Sequence, residues 1–407
     1  MTGESLARML GIEGWKIKGE PNFGEGSGRP YAMMEIVRQK KEYQCPCGRR
    51  FTSYYDGDER EAWDMSWGER DMSLVFYQVR VDCPECGVKT EQLDWLVPGS
   101  RYTKRFAAYV AQLCRLATVS AVAKHLGLDW KTVKRFDKSA LEEELDPPDL
   151  EDLRVLAVDE IAIKKGHRYA TVIIDFERRR VVWAVEDRTE EALGSFYEML
   201  GEDRCDSIEA VAMDMWKPYE NATRKYCRNA EIVYDKFHIL SHFSKVIDKV
   251  RNAEFKRAEE QDQAVLKGTK YLLLRNWDNL KHEQKDRLVE LLDLNENLNI
   301  VYILKEDLKR LWNYKYPGAA WNFFLEWLET ALDSNIEPLI ELGTMLYNHW
   351  EGIAAHCRYP IHTSVLEGMN NTAKVIKRVA YGFRDTAYFF LKLRAAFPGN
   401  DDLAYEL

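Results

Sequence analysis

The chain has 407 residues, 46% of them hydrophobic, with 58 basic against 67 acidic side chains and a formal charge of −9. That length predicts several modules rather than one core, and the acidic balance argues against a nonspecific DNA coat without excluding local basic surfaces. No apolar run can span a bilayer and no secretory leader pattern is present. The eight cysteines fall as two close pairs and four singles rather than as a secreted disulfide framework, so a cytoplasmic protein with no membrane partner is expected.

Residues 1–40 read as an N-terminal segment with a glycine-rich loop at 21–30. Cys45-Pro-Cys47-Gly and Cys83-Pro-Glu-Cys86-Gly then bracket a module at 41–98, with a β-rich run at 73–81. Four thiolates suit a tetrahedral zinc, and a glycine after each pair lets the chain turn back on itself. Cys83 and Cys86 have the usual two-residue spacing; the single residue between Cys45 and Cys47 is tighter. Free thiols or a redox pair are the alternatives. Cys114, Cys205, Cys227 and Cys357 lie in apolar or helical contexts and read as small buried hydrophobes.

The pattern turns helical over 99–145. A short helix ends at Gly127, and Asp129 can cap a second. That second helix turns Lys131, Lys134 and Arg135 outward, with Val133 and Phe136 suited to packing inward. The pattern predicts a helix-turn-helix with a recognition helix for double-stranded DNA; a plain helical hairpin with solvated lysines has the same pattern. Asp146-Pro-Pro-Asp-Leu-Glu-Asp152 is an acidic, proline-broken boundary.

Beyond it, short apolar runs at 155–159, 169–175 and 181–185 predict a three-strand meander. A helix at 190–200, a strand at 208–214, a helix opened by Pro218 and a strand at 230–235 follow. This β-β-β-α-β-α-β order is that of an α/β, ribonuclease H-like core, its first part over 153–240. Residues 241–355 are helical in pattern and read as a large insertion. Residues 356–397 return to the core with a helix bearing Glu367.

Asp159 closes Val-Leu-Ala-Val, Asp214 closes Ala-Val-Ala-Met, and Glu367 lies in Ser-Val-Leu-Glu-Gly-Met-Asn-Asn-Thr-Ala-Lys. A carboxylate ending an apolar strand is costly unless water, a partner or a metal receives it. Magnesium takes hard oxygen ligands and keeps waters, so a few carboxylates plus substrate phosphate suffice. A pair of ions about 4 Å apart would serve in-line phosphoryl transfer. Strand alternation separates Asp159 from Glu160, which makes Asp159 the ligand and Glu160 a bystander. On the helix, Asn370 or Asn371, Lys374 and Arg378 share the face of Glu367, setting amide and basic groups beside the acid for phosphates. Each acid alone is unremarkable; the three in this order point to DNA cutting and joining. Asp175 and Asp187, at turns, are expected to be structural.

Several blocks carry a resemblance. They are the cysteine pairs, the helix-turn-helix, Ala157-Val-Asp159-Glu, Met213-Asp214-Met-Trp-Lys-Pro-Tyr219, Tyr234-Asp235-Lys-Phe-His238, and Thr363-Ser-Val-Leu-Glu367-Gly-Met-Asn-Asn through Arg378-Val-Ala-Tyr-Gly-Phe-Arg384. Over nearly its whole length the chain resembles bacterial insertion-sequence transposases of the DDE type, in the ISL3 family. The resemblance implies Asp159, Asp214 and Glu367 as a triad for magnesium or manganese, with a helical insertion between the second and third. It adds Asp235 and His238 as an Asp-x-x-His pair supporting the site, although His238 could simply cap the following helix. It gives Lys374 a phosphate contact. Terminal inverted repeats and target DNA become the partners, and joining two ends implies a homodimer or higher assembly on DNA. A transposon-derived DNA-binding regulator without catalysis, and a ribonuclease H-like nuclease without strand transfer, are the competing readings.

Overall fold

A computed structural model describes the chain except residues 1–2, 26–28, 165–167, 260–262, 264, 362, 381 and 400–407, and except the side chains of 3, 5, 164 and 363–367. Two compact units divide at the proline-broken boundary: Met1–Asp146 and Pro147–Leu407.

The first unit begins with helix α1 (Gly3–Met9), then strands β1 (Trp15–Ile17), β2 (Asn22–Glu25) and β3 (Pro30–Arg38). The short β4 (Tyr43–Gln44) and β5 (Arg50–Phe51) pair with each other; β6 (Asp56–Trp67), β7 (Arg70–Cys83) and β8 (Gly87–Thr90) follow. The main sheet runs β1-β3-β7-β6, with β2 on β3 and β8 on β7. Its β3–β7 pairing is parallel, from Tyr31↔Asp71 to Glu35↔Val75. The stretches expected as a separate segment (1–40) and module (41–98) therefore share one sheet. Trp15, Phe76 and Trp95 meet edge to face in its core, with centroids 4.9 to 6.2 Å apart.

Helices α2 (Lys104–Leu116), α3 (Val119–Leu126) and α4 (Trp130–Glu144) complete the unit. Thr118 and Asp129 cap α3 and α4 through their side chains, and Gly127 ends α3 at φ +67°, a conformation glycine adopts without strain. Asp64 on β6 is 2% exposed, accepting from Thr103 Oγ1 at 2.7 Å and from Arg105 Nε at 2.7 Å. A buried acid is thus paired, and sheet and helices are tied together.

In the second unit β9 (Val155–Lys164), β10 (Arg168–Asp175) and β11 (Arg180–Glu186) form the meander. Helices α5 (Glu190–Leu200) and α6 (Glu202–Asp206) lead to β12 (Ala210–Met213); α7 (Lys217–Tyr226) leads to β13 (Glu231–Tyr234). The sheet order is β11-β10-β9-β12-β13. The first three strands are antiparallel, and β12 runs parallel to both β9 and β13. The sequence pattern predicts that Asp159 ends its strand, and in the structure it does not. β9 continues five residues past it, because β10 keeps pairing with β9 beyond the point where β12 has stopped.

Helix α8 (Lys236–Arg257) leads from β13 into a helical region: α9 (Lys270–Leu274), α10 (His282–Leu294), α11 (Glu296–Leu308), α12 (Pro317–Asp333), α13 (Glu337–Asn348) and α14 (Trp350–Ala354). Helices α15 (Thr363–Val379) and α16 (Thr386–Ala396) return to the sheet. Both sheet faces are covered, which is why its strands read as unbroken apolar runs. Leu156, Val158, Val211 and Met213 join the cluster with Phe196, Phe243 and Trp327. Val155, Ala157, Ala210 and Ala212 pack with Met369, Ala373, Phe389 and Leu393 of α15 and α16. No described helix is long and apolar enough to cross a membrane.

Candidate active site

β12 pairs with β9 up to Ala212↔Ala157 and with β13 up to Met213↔Tyr234. Carrying both registers on by one or two residues sets Asp159, Asp214 and Asp235 level on three neighbouring strands, which lie about 4.8 Å apart. The row stands at the carboxyl ends of β12 and β13, where open α/β sheets place their ligands.

Asp159 Oδ1 accepts from the Glu160 amide at 2.6 Å, and its Oδ2 accepts from Asn370 Nδ2. Burial pushes the Asp159 carboxyl above its ordinary pKa, against the pull of those two hydrogen bonds and of His238. Asp214 Oδ1 accepts from the Met215 amide at 2.7 Å, and His238 Nδ1 lies 3.2 Å from its Oδ2. For Asp214 burial acts upward as well, but the hydrogen bond and charge of His238 outweigh it and hold the carboxyl low. Asp235 Oδ1 accepts from the Phe237 amide at 2.8 Å, which caps α8, and burial raises its pKa. Burial opposes the charge on His238, yet the hydrogen bond to Asp214 and the charges of Asp214, Asp235 and Asp159 push its pKa up to about 9. The imidazole lies between Asp214 and Asp235.

Glu367 belongs to α15, but its side chain lies outside the described residues. Met369 and Ala373 seat this helix on the sheet. Glu367 precedes Asn370 by three positions and Lys374 follows it by four, so all three belong to one helix face. Lys374 and Arg378 are exposed. The sequence pattern assigns Asn370 only as an amide for phosphates, whereas it hydrogen-bonds Asp159. Glu160 instead meets Arg188, 3.0 Å away. The Arg188 guanidinium lies over Tyr169 at 4.3 Å and Trp216 at 4.8 Å. Arg188 is not singled out by sequence, and Trp216 figures there only within the Met213–Tyr219 block, two residues after Asp214.

In the first unit the thiols of Cys45, Cys47, Cys83 and Cys86 all lie within 4.8 Å of one another, the one such group of ligand atoms among the described residues. The β4–β5 hairpin carries one pair, with Gly48 at φ +90°, and the β7–β8 turn carries the other. The Cys86 and Glu85 amides draw the Cys83 thiol down to about 7, while its hydrogen bond to Cys47 and burial push Cys86 up to about 12. Four thiols this close cannot all ionise without a cation, and zinc is a fitting one. In the helix-turn-helix, Val133 and Phe136 are buried, Lys131 and Arg135 are exposed and Lys134 is half-buried.

A row of acids across three neighbouring strands under a returning helix, with a helix-turn-helix on the same chain, marks a class that sequence comparison identifies: the chain is an insertion-sequence transposase. Residues 156–393 match a DDE family profile described as a transposase, and residues 91–140 match the helix-turn-helix domain of transposase family ISL3. The chain belongs to the ISL3 transposase family. It is 42% identical, over 98% of its length and all of the relative's, to the transposase for insertion sequence element IS1001 of Bordetella parapertussis. It is also 26% identical, over 92% of its length and 91% of the relative's, to the transposase for insertion sequence element IS1557 of Mycobacterium tuberculosis.

Proposed function

We propose that this transposase binds the terminal inverted repeats of its own element in the cytoplasm, cleaves DNA there and joins the freed ends to target DNA. The observation that supports this best is the level row of Asp159 and Asp214, with α15 bound to Asp159 through Asn370. Glu367 lies one turn before Asn370 on the same helix, from which we assign it to this site, on a core we read as ribonuclease H-like. We divide the chain into a first part in which 1–40 and 41–98 share one sheet and carry the zinc site, a helix-turn-helix at 99–145, core parts at 153–240 and 356–397, and an insertion at 241–355.

The donor set fits magnesium or manganese. The acids offer hard oxygens, and burial leaves the Asp159 carboxyl short of positive charge. Bound between Asp159, Asp214 and Glu367, such ions would supply charge stabilisation and an activated oxygen for in-line displacement at phosphorus. The protein's own groups do the positioning. Asn370 orients Asp159, and His238 holds Asp214 while resting against Asp235. Lys374 and Arg378 steady phosphates along the helix face, and Lys131, Lys134 and Arg135 read the ends. Zinc at the four thiols is structural, and two ends meet in a homodimer or larger assembly.

The test is incubation with magnesium and a plasmid carrying the gene and several hundred flanking base pairs, with breaks mapped to the nucleotide. Paired breaks at inverted repeats, absent for Asp159→Asn and Glu367→Gln, are expected; Asp159→Asn should still bind the ends. Scattered breaks would indicate a general nuclease. Tight binding without breaks would indicate a regulator.

A further inference from the structure

We propose that Trp216 is a stacking platform for one unpaired nucleobase of the DNA strand being cut, an inference that rests on the cleavage reading above. Trp216 is 38% exposed, two residues beyond Asp214. An exposed indole is ordinarily free to turn, but this one is fixed. Its Nε1 donates to the Arg188 carbonyl at 3.0 Å, and the Arg188 guanidinium lies 4.8 Å from the ring centroid. Arg188 is itself held by Glu160 at 3.0 Å and by the Tyr169 ring at 4.3 Å. The backbone is pinned too, with the Trp216 amide bonded to the Asp214 carbonyl at 2.6 Å and the Trp216 carbonyl accepting from the Tyr219 amide at 3.0 Å.

Orientation is thus set before any ligand arrives, and the indole's single polar hydrogen is already used. What the ring offers is its π surface, which selects a flat partner without reading hydrogen-bond identity. A base in a closed duplex has both faces occupied by its neighbours, so the partner must be a base already out of the stack. A scissile phosphate brought to the Asp214 row has its own nucleotide within reach of that ring. Arg188 adds a cation behind the indole, in a place where Asp159, Asp214 and Glu160 would otherwise repel DNA. Phe237 follows Asp235 by two residues, as Trp216 follows Asp214, and is 53% exposed, so a second aromatic residue marks the same end of the sheet.

The test compares wild type, Trp216→Ala and Trp216→Phe on two linear DNAs: the element end as a full duplex, and the same end with mismatched pairs at the cleavage position. We expect Trp216→Ala to slow duplex cleavage about 10- to 100-fold and to recover within about threefold of wild type on the mismatched end. Trp216→Phe should fall between. A 2-aminopurine at the cleavage position should be quenched by wild type and not by Trp216→Ala. Equal wild-type and Trp216→Ala rates on the duplex would overturn the proposal. So would equal slowing on both DNAs, since the ring would then only be holding the Asp214 turn. Absence of cleavage by wild type on either DNA would instead overturn the cleavage reading, and this inference with it.

Discussion

His238 Nδ1 stands 3.2 Å from Asp214 Oδ2 while its Nε2 stands 3.8 Å from Asp235 Oδ2, so one imidazole spans the acids of two neighbouring strands. His238→Ala removes both contacts and leaves three acids facing one another. Single-turnover cleavage should fall about 10- to 100-fold, the usual effect of losing a group that orients a ligand. His238→Gln, which can still donate to Asp214, should lose less. Equal rates for Ala and wild type would exclude the imidazole from the site.

Asn370 supplies the only side-chain hydrogen bond to Asp159 among the described residues. Asn370→Ala should reduce cleavage about tenfold. Asn370→Asp should reduce it further, because a second carboxyl would raise the Asp159 pKa again. Magnesium titrations of both variants check this: the aspartate variant should need more metal to reach half its maximal rate. An aspartate variant as active as wild type would contradict the assigned orientation.

The thiol cluster predicts one zinc per chain. Cys83→Ser should lose that metal and lower the unfolding midpoint of the first unit by at least about 5 °C. Metal analysis and calorimetry read these outcomes. A wild-type protein that contains no metal and is indifferent to chelators would leave four free thiols.

Lys131 and Arg135 are exposed on α4. If each meets a phosphate, alanine at either position should weaken binding to all sequences alike and lower the salt slope by about one. If either reads a base edge, specificity at one position should relax while the slope stays. Binding isotherms at several salt concentrations, on matched and mutated repeats, separate the two.

Lys305 is 4% exposed, its Nζ donating to the carbonyls of Leu273 at 2.7 Å and Arg275 at 2.8 Å. Burial lowers its pKa from 10.5 to about 8 despite the Glu306 carboxylate 2.9 Å away. Between those values the unfolded chain holds a proton that the folded one has released. Its contribution to stability is therefore present above 10.5 and lost as pH falls through 8. Relative to Lys305→Met, wild type should gain about 1–3 kcal/mol between pH 7.5 and 10. Urea unfolding at those two pH values checks the sign.

What can be read from sequence here is what depends on neighbours along the chain. Gly127 and Asp129 announce the turn before α4, and the apolar runs before Asp159 and Asp214 announce buried strands. Alternation separates Asp159 from Glu160, which meets Arg188 instead. Pairings between distant segments leave no such trace. The parallel β3–β7 pairing joins stretches that composition alone would divide. The length of β9 depends on β10 continuing alongside it after β12 has ended. The use of Asn370 rather than Asn371 depends on how α15 sits on the sheet, which Met369 and Ala373 decide.

Asp159 and the amide that orients it are 211 residues apart. At synthesis rates of about 5–20 residues per second, the ribosome makes the strand roughly 10 to 40 seconds before the helix that carries that amide. A half-made chain therefore already carries Asp159 and Asp214, but not Asn370. The strand must therefore wait for the whole helical region to be made before its acid gains that partner.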